Sequence, residues 1–527
     1  MTALTRRALV LGSGALVAGC AAGWGSARTA GRHYAIATNH PLATRAAEQI
    51  KQMGGGAYDM MIAAIAASWV VDPANSSPFG RIQGVNASGV EIDTIHAATM
   101  LRDAPDSTVP IPGNIAAIEL CRSEGRLRLP LAQVLRPAIA IARGGHAPSQ
   151  ALRDILRMTS DTLDHGLRDI YLAEDGLPRA ILRNMDLADL IQSLGQTTDG
   201  DSFWKNLRAA GTLPWSADEL QGNRAWLGQP LRHAVGSLGV LHTTANIETW
   251  GPWTMLGIAI LDRLHNSGLL NDAARAAEAY AVSTILLLER LPFRVGTLEP
   301  KVEAPNLDFD LAEEADSIAR RTAALVAGTR AQLWQAINTT SFGAKAGQTD
   351  DRNTTHFSIA DGQDMLAWTT SIGPWFGSRQ ACCGAALGYS YAMRSGRRYR
   401  GQTHDGTELS PIVMTRDGVA VLAIGAAGSE RILGALSWMF MQAIRSAGAA
   451  DFGKLIHLSR LFPKDGALRI HRDMPRDIEN HLTSRGFAIQ RVDYDVTQHL
   501  GIVGLVERDK SGVFSGATDP SSSGLAL

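Results

Sequence analysis

Asn353-Thr354-Thr355-His356-Phe357-Ser358 is where this chain changes character. Before it, Asn338 to Asn353 is polar, rich in Thr, Gly and Asp, and without hydrophobic period, so it reads as an exposed, flexible segment. After it, His356–Ala360 and Met365–Ile372 read as strands joined through Asp361-Gly362. A linker that runs straight into a strand opening with threonines is what an internally cleaving hydrolase needs. The Thr354 hydroxyl would attack the carbonyl of Asn353, and hydrolysis of the resulting ester would leave Thr354 as a new N-terminus. Its freed α-amino group, with an unperturbed pKa of about 7.7–8.0, is a base able to deprotonate its own hydroxyl. No His or Asp partner is then required. The tripeptide Thr354-Thr355-His356 taken alone is weak, because adjacent threonines are ordinary strand formers.

Downstream, Pro411–Thr415 and Val419–Ile424 read as a hairpin through Asp417-Gly418, followed by a helix over Glu430–Ser446. A strand near Ala467–Ile470, a helix near Arg476–Arg485 and strands near Ala488–Tyr494 and Ile502–Val506 follow. Upstream the pattern is helical. Ala43–Met53 ends at Gly54-Gly55-Gly56, and Tyr58–Val71 is apolar nearly all round and so buried. Ser76–Gly89 reads as turn-rich. Helices are expected near Ile115–Ser123 and Pro130–Arg143, and Ser149–Leu291 reads as mainly helical with one strand near Gly239–Thr243. Asp272–Arg290 and Leu311–Ala327 are further helices, with Pro300–Phe309 irregular between them.

The chain has 527 residues, 45% hydrophobic and 19% charged, with a net charge of -1. Such a composition suits a soluble globular protein, and no basic surplus points to nucleic acid. The first 20 residues read as an export signal. Arg6-Arg7 is its charged region, and Ala8–Ala18 is an apolar stretch shorter than the ~18 residues that span a bilayer. Thr5-Arg6-Arg7 resembles a twin-arginine signal, and Val17-Ala18-Gly19-Cys20 a lipoprotein box, so Cys20 would carry a lipid anchor on a periplasmic or cell-envelope protein. Cys121, Cys382 and Cys383 remain; they lack metal spacing and read as buried thiols, with one disulfide involving Cys121 left open. There is no H-E-x-x-H and no His/Asp cluster at ligand spacing, so no metal or cofactor is expected.

Over most of its length the chain resembles the γ-glutamyltranspeptidases. His40-Pro41-Leu42-Ala43, Gly54-Gly55-Gly56-Ala57-Tyr58-Asp59 and Val71-Asp72-Pro73 look like that family's opening helices, and Leu129-Pro130 through Gly145 like its next unit. Thr354-Thr355-His356-Phe357-Ser358 resembles the start of its small subunit. Ser410-Pro411-Ile412-Val413 with Gly425 through Arg431-Ile432 resembles its core hairpin and following loop, and Ser515-Gly516-Ala517-Thr518-Asp519-Pro520 its C-terminal signature.

The resemblance implies an α+β fold, the four-layer αββα sandwich of N-terminal-nucleophile hydrolases. It implies a zymogen cleaved between Asn353 and Thr354 into a mainly helical heavy chain, 21–353, and a light chain, 354–527. Thr354 would attack a γ-glutamyl or other amide, as in glutathione metabolism, form an acyl-enzyme, and pass the acyl group to water or an amine. The oxyanion donors fall on Gly428 and Ser429, where the family has two glycines; a Ser429 side chain capping the following helix is the bland alternative. Ser371 falls where a hydroxyl steadies the nucleophile, with Thr355 beside it, and Thr407 and Glu408 fall on two substrate-contacting serines.

The family's glutamate clamp is largely missing. Its carboxylate-binding Arg matches Ile95 or His96, and Pro78-Phe79-Gly80-Arg81 replaces the Gly-rich loop before it, so Arg81 is a substitute candidate. Its amino-group ligands match Gly373 and the Gly388–Met393 stretch, which has no Asn or Asp. Thr243–Trp253, with Glu248, Trp250 and Trp253, replaces a site-lining loop, and the two tryptophans would suit an apolar acyl group. The alternatives are therefore an acylase with a non-glutamyl donor, or an inactive binding protein of the same fold.

Overall fold

Alternation along the strand that follows the polar segment sets the architecture. In β7 (Arg352–Ala360) Phe357 and Ile359 join a core cluster with the helix Ala57–Val71, while Ala360 joins a different cluster of mostly small residues. One face of the strand therefore packs on helices and the other on a second sheet. The computed structural model describes residues 33–102, 108–211, 213–222, 224–245, 249–291, 310–338, 342, 352–390, 394–399, 402–446, 450–494 and 500–527. The expected export signal with Arg6, Arg7 and Cys20, together with Glu248, the Pro300–Phe309 stretch and most of the polar segment before Thr354, lies outside them.

The first sheet contains β1 (Ala35–Thr38), β2 (Arg81–Ser88), β3 (Glu91–Ala97), β4 (Trp226–Gly228), β7, and β8 (Asp364–Pro374). The second contains β5 (Pro230–Val235), β6 (Gly239–Thr244), β9 (Ile412–Arg416), β10 (Val419–Ala427), β11 (Ile502–Arg508) and β12 (Phe514–Thr518). The short β13 (Leu525–Ala526) completes the first. Strand order is β13-β1-β7-β8-β2-β3-β4 in one and β12-β11-β10-β9-β6-β5 in the other. Every neighbouring pair in both is antiparallel.

Ala35, Ala37, Val85, Ala87, Ala367, Val413, Ala423 and Val506 fill the space between the sheets. Outside the second sheet, Leu241, Ile412, Leu422 and Ile424 pack on Met255 and Ile258 of the helix Gly251–Asn266 and on Ile432 and Met439 of the helix Arg431–Arg445. The result is the expected αββα sandwich.

Three expectations are corrected. Ser76–Gly89 contains β2, buried at every position from Arg81 to Ala87. Its glycines and Asn86 read as turn formers, yet Gly84 is there for packing: a Cβ would lie 2.6 Å from the Trp368 ring and from Ile95. The mainly helical stretch 149–291 holds three strands, β4 to β6, rather than one. The sheets are consequently not confined to the last third, since six of their strands precede Thr354. Both signalled hairpins form. At Asp417 and Gly418 φ is 52° and 79°, the left-handed pair that a two-residue hairpin loop requires.

Candidate active site

Alternation carries the inward face of β7 through Ser358, His356 and Thr354. His356 fixes this face against the opposite sheet. Its ring lies over Gly425 of β10, where a Cβ would stand 2.3 Å from Cε1 and 2.4 Å from Nδ1. Gly504 of β11, the cross-strand partner of Gly425, faces the same ring, with its notional Cβ 3.5 Å from Cδ2. Two paired glycines thus form the recess for one imidazole. His356 Nδ1 lies 2.8 Å from Thr369 Oγ1 and Nε2 lies 2.8 Å from Ser358 Oγ. Burial lowers its pKa to about 3, so the ring is neutral and structural rather than a base.

Thr354 is 5% exposed and sits at an irregularity in the pairing of β7 with β8. Asn353 pairs with Gly373 and Thr355 with Thr370, so two steps on β7 face three on β8 and the extra residue falls at Ser371–Ile372. Ser371 Oγ accepts a 3.1 Å hydrogen bond from Gly373 N, which braces the bulge opposite Thr354. Ser371 is thus placed where a hydroxyl could steady the nucleophile. Thr355 is not: alternation turns it to the helix-facing side of the sheet, so the expected support from Thr355 is withdrawn.

Beyond Ala427, the last residue of β10, the chain turns through Gly428 and Ser429, with φ of 125° and 57°, into the helix Arg431–Arg445. Their carbonyls accept from Arg431 N and Ile432 N. Their own N–H groups have no acceptor among the described residues. Two backbone donors at a helix N-terminus are thereby left for an anion, which is what an oxyanion hole requires. The Ser429 side chain does not cap the helix; its Oγ donates to Glu408 Oε1 at 3.4 Å.

Arg81 ties the parts together. It lies beside Ser371 across β2 and β8, and its guanidinium donates to Gly406 O at 3.0 Å and Tyr389 O at 2.9 Å. Gly406 leads directly into Thr407 and Glu408. Arg81 is 3% exposed, so it is a buried brace of the loop rather than the substitute carboxylate clamp the sequence suggested. Thr407 is buried, forms an isolated bridge with Thr249, and its hydroxyl has no partner among the described residues. Glu408 is half-buried; among the described residues its carboxylate accepts from Ser429 and its carbonyl from Ser410 Oγ at 3.3 Å.

The remaining candidates are elsewhere. His96 is buried on β3, with Nε2 2.7 Å from Thr94 Oγ1 and the ring stacked on Trp226 at 5.3 Å, which gives it a packing role in the first sheet. Gly373, at φ +95°, leaves no room for an amino-group ligand, because a Cβ would lie 3.1 Å from Tyr389. Trp250 and Trp253 are 1% and 3% exposed in a helical core cluster, which makes them packing residues rather than an acyl-binding surface. The sequence also missed why Asp519 matters. Its carboxylate pairs with buried Arg460 and accepts from Val503 N at 3.2 Å, locking the end of β12 to the start of β11.

A family model described as Gamma-glutamyltranspeptidase matches residues 91–388, more than half of the chain. Among curated proteins, the chain is 23% identical over 515 residues to the Acylase ACY 1 proenzyme of Pseudomonas sp. (strain V22), covering 86% of this chain and 87% of that one. It is 25% identical over 465 residues to Glutathione hydrolase 2 of Arabidopsis thaliana, covering 78% and 77%. Among solved structures, the cephalosporin acylase from Bacillus halodurans superimposes with a TM-score of 0.73 at 17% identity, over 94% of this chain and 96% of that one.

Proposed function

We propose that this chain, which belongs to the gamma-glutamyltranspeptidase family, is a self-cleaving amidohydrolase or acyltransferase whose nucleophile is Thr354. The observation that supports the assignment is that His356, two residues along the same strand face from Thr354, lies against Gly425 of the strand that runs into the Gly428-Ser429 turn, whose two backbone N–H groups have no acceptor among the described residues. Cleavage between Asn353 and Thr354 gives a heavy chain, 21–353, and a light chain, 354–527. The new α-amino group takes the hydroxyl proton, Oγ attacks an amide carbonyl, and the oxyanion forms against the two N–H groups. Collapse expels the amine and leaves an acyl ester on Thr354, which water or an amine then resolves. Losing one oxyanion donor typically costs about 3–4 kcal/mol of barrier.

The acyl donor is the finer question, and Glu408 favours a non-glutamyl one. Where the family resemblance places a serine, this chain has a carboxylate within reach of the oxyanion turn. A bound α-carboxylate would be repelled there, and Arg81 is already committed to two carbonyls. The acylase relatives fit a donor without the glutamate head group, whereas the glutathione hydrolase relative fits the alternative. Turnover of γ-glutamyl anilide against uncharged acyl anilides, with Thr354→Ala as control, separates the two. Hydrolysis of uncharged anilides by the wild type alone supports the acylase reading, and preference for γ-glutamyl anilide overturns it. No turnover of any amide, with both variants alike, contradicts the enzyme assignment.

The charged Arg6-Arg7, the apolar Ala8–Ala18 and Cys20 support export to the periplasm or cell envelope with a lipid on Cys20. Mass measurement of the protein from its own host tests this: a mature N-terminus at Cys20 carrying acyl chains supports it, and a chain retaining Met1 contradicts it.

A further inference from the structure

Cys382 and Cys383 are adjacent in sequence, both partly buried, and their sulfurs lie 3.7 Å apart. They sit on a tight hairpin in which Ala381 and Cys382 pair with Ala386 and Ala385. Cys383 and Gly384 form its two-residue loop, at φ +49° and +76°. Such a loop favours Asn or Gly at its first position, and a cysteine there is uncommon. The thiol is only partly buried, at the edge of the helix-facing core, so it also meets solvent.

The surrounding protein holds the loop in place. Ala381 N donates to Asp164 Oδ2 at 2.7 Å, and Asn184 Nδ2 donates to Gly384 O at 2.7 Å. Gly384 leaves no slack, since a Cβ would lie 2.5 Å from Asn184 Oδ1 and from Leu187 N.

We propose that Cys382 and Cys383 form a reversible vicinal disulfide site that reacts with low-molecular-weight disulfides. The two thiols are chemically unequal. The hydrogen bond from Cys382 favours the Cys383 thiolate, while the same contact and burial push the Cys382 thiol up. Cys383 thiolate attacks one sulfur of an external disulfide, RSSR, forming a mixed disulfide and releasing RS⁻. Cys382 then loses its proton and attacks Cys383 Sγ, closing the ring and releasing a second RS⁻. The two protons and the two released thiolates make two RSH, so the protein dithiol is oxidised and the external disulfide reduced.

Adjacent Cα atoms stand about 3.8 Å apart, below the ~4.4–6.8 Å usual for disulfides, so the ring is strained and readily reduced. That strain makes the bond switchable rather than structural. The same connection continues to Tyr389, whose carbonyl accepts from Arg81 at the candidate active site.

Hydroxyethyl disulfide tests the proposal on the full-length folded protein, because it carries no amide for the proposed enzyme to cleave. After treatment, acid quench, alkylation under denaturing conditions and digestion, the peptide holding both cysteines should be unalkylated and lighter by two hydrogens. Dithiothreitol should return it to the doubly alkylated form, and the Cys121 peptide should be alkylated throughout. Cys382→Ser should leave a stable mixed disulfide on Cys383. Ring closure should be at least about tenfold faster in the folded protein than in urea, because the fold brings the sulfurs together. A doubly alkylated peptide after treatment, a mixed disulfide persisting on the wild type, or equal rates folded and unfolded would each overturn the proposal. The wild-type peptide decides the matter even if the serine variant fails to fold.

Discussion

At the scale of single residues, His356 and Glu408 make the sharpest demands. The His356 ring occupies the space where a Gly425 side chain would be. Gly425→Ala should destabilise the fold by about 1–3 kcal/mol through overpacking, read as a lower urea midpoint with an unchanged slope. The sequence marks Thr354-Thr355-His356 and Gly425 as separate motifs, and no period in it shows that one motif is the recess for the other. Glu408→Ser removes a carboxylate beside the oxyanion turn. Its kcat/KM for γ-glutamyl anilide should rise about tenfold or more relative to uncharged anilides, the size expected from one partly screened charge. No change in that ratio would place Glu408 away from the acyl group. Arg81 and His96 show the limit of motif matching. Both lie in plausible places, but the brace to Gly406 and the stacking on Trp226 arise from tertiary packing that residue type does not encode.

At the scale of elements, the turn between β7 and β8 anchors the nucleophile strand to the helix Ala57–Val71. Asp361 accepts from Gln363 N and Asp364 N within the turn and from Ala57 N at the helix start, and Arg128 approaches it at 3.4 Å. Asp361→Ala leaves these buried donors unmatched and should lower stability by about 1–3 kcal/mol, measured by denaturant titration. Strands with strong turn signals, such as β7, β8, β9 and β10, were legible. Strand β2 was not, because Gly80 and Gly84 mimic loop composition while serving close approach between strands. The very short β1, β4 and β13 carry too few residues for alternation to register.

At the scale of the whole molecule, the sheets interleave segments from both sides of the proposed cleavage site. Strand β1 lies between β13 and β7, and β6 pairs with β9. The two fragments should therefore co-elute under native conditions and separate only in denaturant. Acid should weaken the whole assembly. His356 and His471 are fully buried and held neutral, each with its pKa lowered from 6.5 to about 3. Between those limits the unfolded chain binds more protons than the folded one, so stability rises with pH through this window and levels off above about 6.5. Each imidazole adds up to about 1.4 kcal/mol per pH unit, and urea midpoints measured from pH 7 down to pH 4 should fall accordingly.

The central claim is that Thr354 is both the cleavage point and the nucleophile. Denaturing electrophoresis with intact mass, on the purified wild type beside Thr354→Ala, tests it most directly. The account predicts two fragments in the wild type, the smaller beginning at Thr354, and one uncleaved chain in the variant. A single intact chain in both, or cleavage that persists in Thr354→Ala, would contradict it.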